Sequence, residues 1–306
     1  MRQQYSSVSI GIFCMLTSSF FFALMNACVK ILSANLSAVE IIFFRSFVMV
    51  LLLLAFFAYK PPKKTHKKGG WGTLALRSLF GGLSMLAFFY NIAHIPLGVA
   101  STFMQTSPIF IVVISMLFLK ENVKIGVLFM SVIGFGGIIL ICDPHFNSIP
   151  LLNIALGLFS GLGTALAFIS LRGLRGYFDG NIIVLSFGVV MSVVSLILVF
   201  LQPLIFPESQ ALWIMPNIKE WLWILIMGLV GTFGQYFLTQ AYILAPAGIV
   251  APIDYTRVVF SLILGILLGD LMPSITTFFG IILIIFSGIA IGLPVLLRDL
   301  RTLKTT

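Results

Sequence analysis

The chain has 306 residues, of which 60% are hydrophobic and only 9% are charged, and its formal net charge is +9 at pH 7. A water-soluble domain has about 45–50% apolar and about 25% charged residues, so this composition excludes a soluble enzyme or a soluble binding module. The solvent of this polypeptide is therefore expected to be lipid.

Ten apolar segments follow one another along the chain. They are predicted to be membrane-spanning helices, because a helix needs about 20 apolar residues to cross a hydrocarbon core of about 30 Å. The predicted spans are residues 8–32, 38–59, 71–93, 97–119, 124–142, 151–171, 180–202, 219–244, 248–268 and 273–297. The predicted fold class is an all-α integral membrane protein with ten transmembrane helices.

Two of the span starts carry the sequence pattern of a capping box. Ser37 precedes the second span and Asn217 the eighth, and each is followed three residues later by a glutamate, Glu40 or Glu220. In this pattern the cap side chain and the carboxylate bind each other's free backbone amides. The pattern predicts helix starts directly after Ser37 and Asn217.

The two halves of the chain match each other at an offset of 150 residues. The matching pairs include Trp71 with Trp221, Gly81 with Gly231, Pro96 with Pro246, Gly98 with Gly248 and Thr106 with Thr256. Ordered matches of Trp, Gly and Pro indicate an internal duplication, with repeats at 1–146 and 147–306. Because each repeat has an odd number of spans, the second must enter the membrane in the opposite sense. Such inverted repeats bind substrate near the membrane midplane.

Basic residues are distributed unequally between the two predicted sides of the membrane. With ten spans and both termini cytoplasmic, Lys30 and Lys219 fall on the outer side. The inner side holds Arg2, Lys60, Lys63, Lys64, Lys67, Lys68, Lys120, Lys124, Arg172, Arg175, Arg298, Arg301 and Lys304. This asymmetry predicts that the N- and C-termini are cytoplasmic. Topology and anionic lipid then account for the positive charge, so no nucleic acid partner is expected.

Several short motifs carry a resemblance to a known family. A Pro-x-Gly sequence precedes the fourth and ninth spans, and the fourth span ends in Leu119, Lys120, Glu121 and Asn122. The ninth span contains Ala251 and Pro252 and ends in Gly269 and Asp270. With its two five-span repeats, the whole chain resembles the EamA family of the drug/metabolite transporter superfamily. Lys120 and Asp270 depart from the family's usual Gly and Glu.

A narrower resemblance, through 39–45 and 254–257, is to the branch with S-adenosylmethionine and riboflavin carriers. The family resemblance implies a carrier in the cell inner membrane that moves a small polar metabolite by alternating access. Amino acids, nucleoside-like solutes and cofactor-like solutes such as S-adenosylmethionine fit this class. Such carriers are driven either by an ion gradient or by the gradient of the solute itself, so the expected transporter is secondary active or facilitative. The expected partners are the solute and membrane lipid, with a proton or sodium ion if transport is coupled, and with a homodimer as an alternative to a monomer. The alternative function is a lipid-linked-sugar flippase or an accessory membrane subunit.

Catalytic and metal-binding patterns are missing from the sequence. It contains no His-Glu-x-x-His, Gly-x-Ser-x-Gly or Gly-x-Gly-Asp element, and its three cysteines and three histidines are scattered. We therefore expect no enzyme activity, no metal and no cofactor.

Charged residues inside predicted spans are candidates for the substrate site, because each costs about 2.5–3.5 kcal/mol to insert. Arg257 lies deepest, and Asp254 precedes it by three residues, on the same helical face. The pair either neutralises itself between helices, or Arg257 binds a substrate carboxylate or phosphate while Asp254 acts as counter-ion or coupling group. Arg45 either faces the cavity or a neighbouring helix, or snorkels to the interface, whereas Arg77 and Lys30 are expected to snorkel.

Polar residues on the first, third, fourth, eighth and ninth spans form a second set of candidates. Its members are Asn26, Tyr90, Gln105, Gln235, Tyr236, Gln240 and Tyr255. Individually such residues often form only interhelical hydrogen bonds of about 0.6 kcal/mol. Together they predict a polar cavity with aromatic walls.

The predicted topology can be tested with reporter fusions. A reporter after Thr306 or within 60–68 should lie in the cytoplasm, and one within 143–150 should lie outside, because basic loops stay on the inner side. Reporters showing that the two halves run in the same sense would contradict the inverted repeat.

Overall fold

The computed structural model describes residues 2–62, 67–95, 103–119, 124–142, 149–205, 213–267 and 274–304. The helices in these ranges are α1 (Arg2–Leu32), α2 (Ala38–Tyr59), α3 (Trp71–His94), α4 (Ser107–Leu117), α5 (Ile125–Cys142), α6 (Leu151–Gly173), α7 (Gly180–Ile205), α8 (Ile218–Leu244), α9 (Ala247–Val250), α10 (Thr256–Leu267) and α11 (Ile275–Lys304). A 3-10 turn, Ala251–Tyr255, joins α9 to α10. The described ranges contain helices and no strand, which confirms the predicted all-α fold.

The lengths of these helices match membrane spans. Seven of the described stretches are long and apolar enough to cross a membrane, and α4 and α5 contribute two shorter apolar helices. One of the seven is Ala247–Leu267, in which α9, the 3-10 turn and α10 form a single interrupted span. Pro96, Gly98 and the motif residues 120–122 and 269–270 lie outside the described residues.

Both predicted capping boxes are confirmed. The Ser37 hydroxyl accepts a hydrogen bond from the Glu40 amide at 3.3 Å, and the Glu40 carboxylate accepts one from the Ser37 amide at 2.9 Å. At α8 the Asn217 side chain accepts from the Glu220 amide at 3.0 Å, and the Glu220 carboxylate accepts from the Asn217 amide at 2.7 Å. Each box satisfies amides that have no partner within the first helical turn.

The duplication is visible in how α3 and α8 end. Ile95 ends α3 in an extended conformation and its amide donates to the Asn91 carbonyl at 2.8 Å. Ala245, 150 residues later, ends α8 in the same conformation and donates to the Ala241 carbonyl at 3.0 Å. In the sequence each of these residues precedes a proline, and the proline ring disfavours helical geometry for the residue before it.

The starts of α4 and α10 are equivalent in the same way. The Thr106 hydroxyl donates to the Phe103 carbonyl at 2.6 Å, and the Thr256 hydroxyl donates to the Ile253 carbonyl at 2.7 Å. A threonine hydroxyl bonded to the carbonyl three residues earlier holds the tight turn from which the longer helix continues. The fourth span of each repeat is therefore interrupted by a turn at equivalent positions.

Helix packing also follows the duplication. The first helix of each repeat packs against the third helix of the other, so that α1 lies against α8 and α6 lies against α3. The α1–α8 pair is antiparallel, because Gly11 lies beside Ala245 whereas Met25 lies beside Gly231. The second helices, α2 and α7, contact each other, and so do the fifth, α5 and α11. This exchange of partners is the packing of two inverted repeats related by a pseudo-two-fold axis.

The α5–α11 contact depends on two glycines. A Cβ placed on Gly137 would lie 2.6 Å from the Gly280 carbonyl oxygen, and a Cβ on Gly280 would lie 2.6 Å from that of Gly137. The two helix backbones are therefore in direct contact, as small residues permit between membrane helices.

Adding one methyl group at this contact should separate the helices. We expect Gly137→Ala to destabilise the protein by about 1–3 kcal/mol, because the neighbouring atom belongs to the backbone and cannot rotate away. Gly136→Ala is the matched control, since a Cβ there has no atom within 4 Å. Thermal unfolding of the purified protein in detergent measures both. Equal midpoints for the two variants would contradict the direct contact.

Candidate functional site

A cavity of about 900 Å³ lies between the two repeats. Helices α1, α2, α3, α6, α7, α8 and α10 line it, together with Met104 and Gln105 before α4. This volume falls within the range of about 300–1,000 Å³ that is usual for small-molecule sites. The cavity is therefore large enough for a metabolite.

The cavity reaches one end of the bundle and stops short of the other. Lys30, Ser33 and Leu36 line it where α1 ends, at what the predicted topology makes the outer end. Towards the opposite, inner end its lining includes Arg77 and Phe168. At the inner end itself, Gly11 packs on Ala245 and the Arg172 side chain donates to the Ala245 carbonyl at 2.8 Å.

Arg257 enters this cavity from the first turn of α10. Its Nη2 atom donates to both oxygens of Asp254, at 2.7 and 2.6 Å, and the Ser19 hydroxyl donates to the same carboxylate at 2.9 Å. The pair forms because Asp254 belongs to the 3-10 turn and Arg257 follows three residues later on the same face. Arg257 lines the cavity, and no described residue accepts a bond from its buried Nε.

A single aromatic ring lies beside two of the cavity's arginines. The Cζ atom of Arg257 is 4.5 Å from the centroid of the Phe22 ring, and that of Arg45 is 6.0 Å from it. Arg45 lines the cavity, and it passes Gly231, whose missing Cβ would lie 3.6 Å from the Arg45 Nε. A cation over a ring face is stabilised by roughly 0.5–2 kcal/mol, depending on desolvation. Phe22 thus keeps two guanidinium groups close together.

Arg77 does not snorkel to the interface, so that prediction was wrong. It is 2% exposed and lines the cavity, with its Cζ 4.4 Å from the centroid of the Phe187 ring and 5.6 Å from that of Phe168. Because α6 and α7 cover this face of α3, the side chain has no lipid-facing path. The signal in the sequence is Gly81, one turn later, which leaves room for the guanidinium on the same face.

Three of the predicted polar residues line the cavity together with Arg45 and Arg257: Asn26, Gln105 and Gln235. Ser84 and Thr164, which were not predicted from the sequence, also line the cavity, and the threonine hydroxyl donates a 3.2 Å hydrogen bond to the serine hydroxyl. Hydroxyl residues are common in membrane helices, so their spacing carried no signal.

The other predicted residues are not among those that line the cavity. Tyr255 is buried against Gly134 between α5 and α11, because successive residues of a 3-10 turn point about 120° apart. Three more pack elsewhere: Tyr90 stacks on His94 with ring centroids 4.1 Å apart, Tyr236 packs on Phe237, and Gln240 lies against Gly180.

Two glutamates connect neighbouring elements at the predicted outer end. The capping carboxylate Glu220 also accepts a hydrogen bond from the Asn35 side chain, at 2.7 Å, which joins α8 to the end of α1. The capping carboxylate Glu40 also accepts from the Ile214 amide, at 2.6 Å. In the described part of the chain no cluster of three His, Cys, Asp or Glu side chains could hold a metal. The chemistry of the site is that of guanidinium, amide and hydroxyl groups.

The sequence matches the model of the EamA-like transporter family over residues 9–142 and 151–293. The chain belongs to this family. A Helicobacter pylori (strain J99) protein described as an uncharacterized transporter is 42% identical over 297 residues, which is 97% of this chain and 99% of the relative. This EamA-like protein is therefore a membrane transporter of the drug/metabolite transporter superfamily.

More distant relatives have named solutes. The pseudopaline exporter CntI of Pseudomonas aeruginosa (strain UCBPP-PA14) is 32% identical over 283 residues, 92% of this chain and 95% of the exporter. An S-adenosylmethionine uptake transporter of Rickettsia conorii is 25% identical over 258 residues, 84% and 83% of the two chains. A crystal structure that is 15% identical has a TM-score of 0.75 and covers 94% of this chain and 98% of its own, which shows the same fold.

The Asp254–Arg257 pair can be tested by a double-mutant cycle on stability. Of the two single variants and the double variant, Asp254→Asn should lower the unfolding midpoint most, because it leaves Arg257 without its counter-ion, and removing one partner of a largely buried pair costs about 3–5 kcal/mol. Adding Arg257→Gln should restore part of that loss, since the uncompensated charge is then gone. Thermal unfolding in detergent measures the cycle. Purely additive effects would show that the two side chains are not coupled.

Proposed function

We propose that this EamA-like transporter carries a small organic anion, bearing carboxylate or phosphate groups, across the cell inner membrane by alternating access. The observation that supports the proposal is the charge of the cavity. Arg45, Arg77 and Arg257 all line it, and Asp254 is the one carboxylate paired with them among the residues that the structure describes.

Guanidinium groups suit this task better than other cations. A guanidinium presents its donors as a planar fork that matches the two oxygens of a carboxylate or phosphate. Arg257 uses one terminal nitrogen for Asp254, so the remaining part of its fork is available to a ligand in the cavity. Arg45 lies beside the same phenylalanine ring and can bind a second oxygen of the same acidic group.

The uncharged lining suits the rest of such a solute. Asn26, Gln105 and Gln235 offer amide donors and acceptors, whereas Met85 and Phe88 offer apolar surface. An organic acid with further polar groups fits this combination. The named relatives, a pseudopaline exporter and an S-adenosylmethionine uptake transporter, carry different solutes. Similarity to them therefore supports no single class of solute, whereas the charge of the cavity supports an acid.

The shape of the cavity supports an outward-facing state in the proposed cycle. It reaches the outer end at Lys30 and Ser33 and ends near Arg77 towards the inner side. The inner end is closed where Arg172 bonds the Ala245 carbonyl at the junction between α8 and α9. Rocking of one repeat against the other would then open that junction and close the outer one.

Two alternative roles of Asp254 can be distinguished by transport assays. As a counter-ion it holds Arg257 in place, and Asp254→Asn then lowers stability without changing the pH dependence of transport. As a proton-coupling group it titrates during transport, and the same variant then changes that pH dependence. The bonds that this carboxylate accepts from Arg257 and from the Ser19 hydroxyl support the counter-ion role.

Acid binding and transport should depend on Arg257. Among succinate, citrate, glutamate, inorganic phosphate, glucose and putrescine, the acids should raise the unfolding midpoint of the purified protein. Uptake of the most stabilising labelled acid into proteoliposomes should fall at least about tenfold in Arg257→Gln, because a charge-assisted contact is lost. Arg45→Gln should also reduce uptake.

Arg175→Gln is the matched control, since it removes an arginine that is exposed outside the cavity. Uptake by this variant should remain near that of the unchanged protein. Stabilisation by glucose or putrescine alone, or equal uptake by Arg257→Gln and Arg175→Gln, would refute the anion proposal.

A further inference from the structure

We infer that Arg77 is a second anion subsite, distinct from the one at Arg45 and Arg257, and that the solute carries acidic groups at two separated positions. This inference rests on the proposed transport of an organic anion. It adds that one end of the solute binds beside Phe22 and the other end binds between Phe168 and Phe187.

Arg77 is a buried cation whose partner is not in the described protein. Only 2% of the residue is exposed, its buried Nε donates to no described acceptor, and it forms no ion pair within the described ranges. The faces of Phe168 and Phe187 stabilise the cation, but a ring face accepts no in-plane hydrogen bond from the five N–H groups. An acidic group in the cavity would use these donors.

The cavity wall around Arg77 is polar, and Gly81 makes room there for the guanidinium. A Cβ at Gly81 would lie 2.6 Å from the Arg77 Nη1 atom, so the guanidinium occupies space that only glycine leaves free. Ser84 continues the same face of α3, and its hydroxyl is bonded to that of Thr164 on α6 at 3.2 Å. Arg77, Gly81, Ser84 and Thr164 all line the cavity. A guanidinium followed by two hydroxyls makes one polar strip along this wall.

The two subsites belong to different parts of the bundle. Arg45 and Arg257 both lie beside Phe22 of α1, whereas Arg77 lies beside Phe168 of α6 and Phe187 of α7. The cation–ring contacts of the two subsites therefore involve different rings. With Asp254 neutralising one guanidinium, the three arginines of the lining retain two positive charges, and Lys30 also lines the cavity, at its outer end. A solute with two negative charges would balance the two charges of the arginines.

Chain-length series of acids test this arrangement. Thermal stabilisation of the purified protein gives the affinities of straight-chain α,ω-dicarboxylates from malonate to suberate, and of the half-amide of each acid. At one optimal length the diacid should bind at least about tenfold more tightly than its half-amide, because the second contact is charge-assisted. A parallel series of α,ω-bisphosphonates and their monophosphonates distinguishes phosphate from carboxylate recognition.

Variants separate the two subsites. The Arg77→Gln variant should bind the diacid and the half-amide with equal affinity, which is the affinity of the unchanged protein for the half-amide. The Arg257→Gln variant should bind both ligands more weakly. Gly81→Ala should act like Arg77→Gln by displacing the guanidinium. Gly82→Ala is its matched control, because a Cβ there would lie 3.7 Å from the Met191 sulfur, which is an ordinary contact. This variant should keep the preference for the diacid over the half-amide.

The outcomes distinguish failure of this inference from failure of the proposed function. If no acid of either series stabilises the unchanged protein, the proposed anion transport is wrong. If half-amides bind as tightly as diacids at every length, or if Arg77→Gln and Gly81→Ala keep the diacid preference, anion transport stands and the second subsite is refuted.

Discussion

The burial of guanidinium groups in the membrane interior is the constraint on which the rest of this structure depends. Lipid provides no hydrogen bonds, so each buried charge requires partners from the protein or its ligand. Arg257 has Asp254, held in turn by Ser19, whereas Arg45 and Arg77 have aromatic faces and the open cavity. Helices of both repeats must surround these groups, and the cavity that they enclose is consequently cationic.

The duplication and the charges serve different purposes. The equivalent Thr106 and Thr256 hydrogen bonds show that the turns before α4 and α10 are held in the same way in both repeats, in keeping with a pseudo-two-fold axis. At the offset of 150 residues, however, Arg257 corresponds to Ser107 and Arg77 to Met227. In the proposed cycle the symmetric backbone would supply the means of alternating access, and the asymmetric side chains would select the solute.

Features that depend on neighbouring residues could be predicted from the sequence, and features that depend on distant helices could not. Capping boxes and the Asp254–Arg257 pair need only a spacing of three residues, and both are found as expected. Arg77 was predicted to snorkel because it lies close to the end of its span. Its position along the span does not reveal that α6 and α7 cover its side chain. Tyr255 was predicted to line the cavity as a polar residue of the ninth span, but the 3-10 turn changes the angle between successive side chains.

The hydrogen bonds at the outer end indicate which parts of the bundle move together. Glu220 caps α8 and also binds Asn35 at 2.7 Å, so α1 cannot separate from α8 at this end without breaking that bond. Motion that opens or closes the cavity is therefore expected between the α1–α8 pair and the α3–α6 pair, rather than within either. Phe22 of α1 positions Arg257, and α3 carries Arg77. A solute bound to both arginines would bridge the two pairs, and its presence would change the free energy of their relative movement.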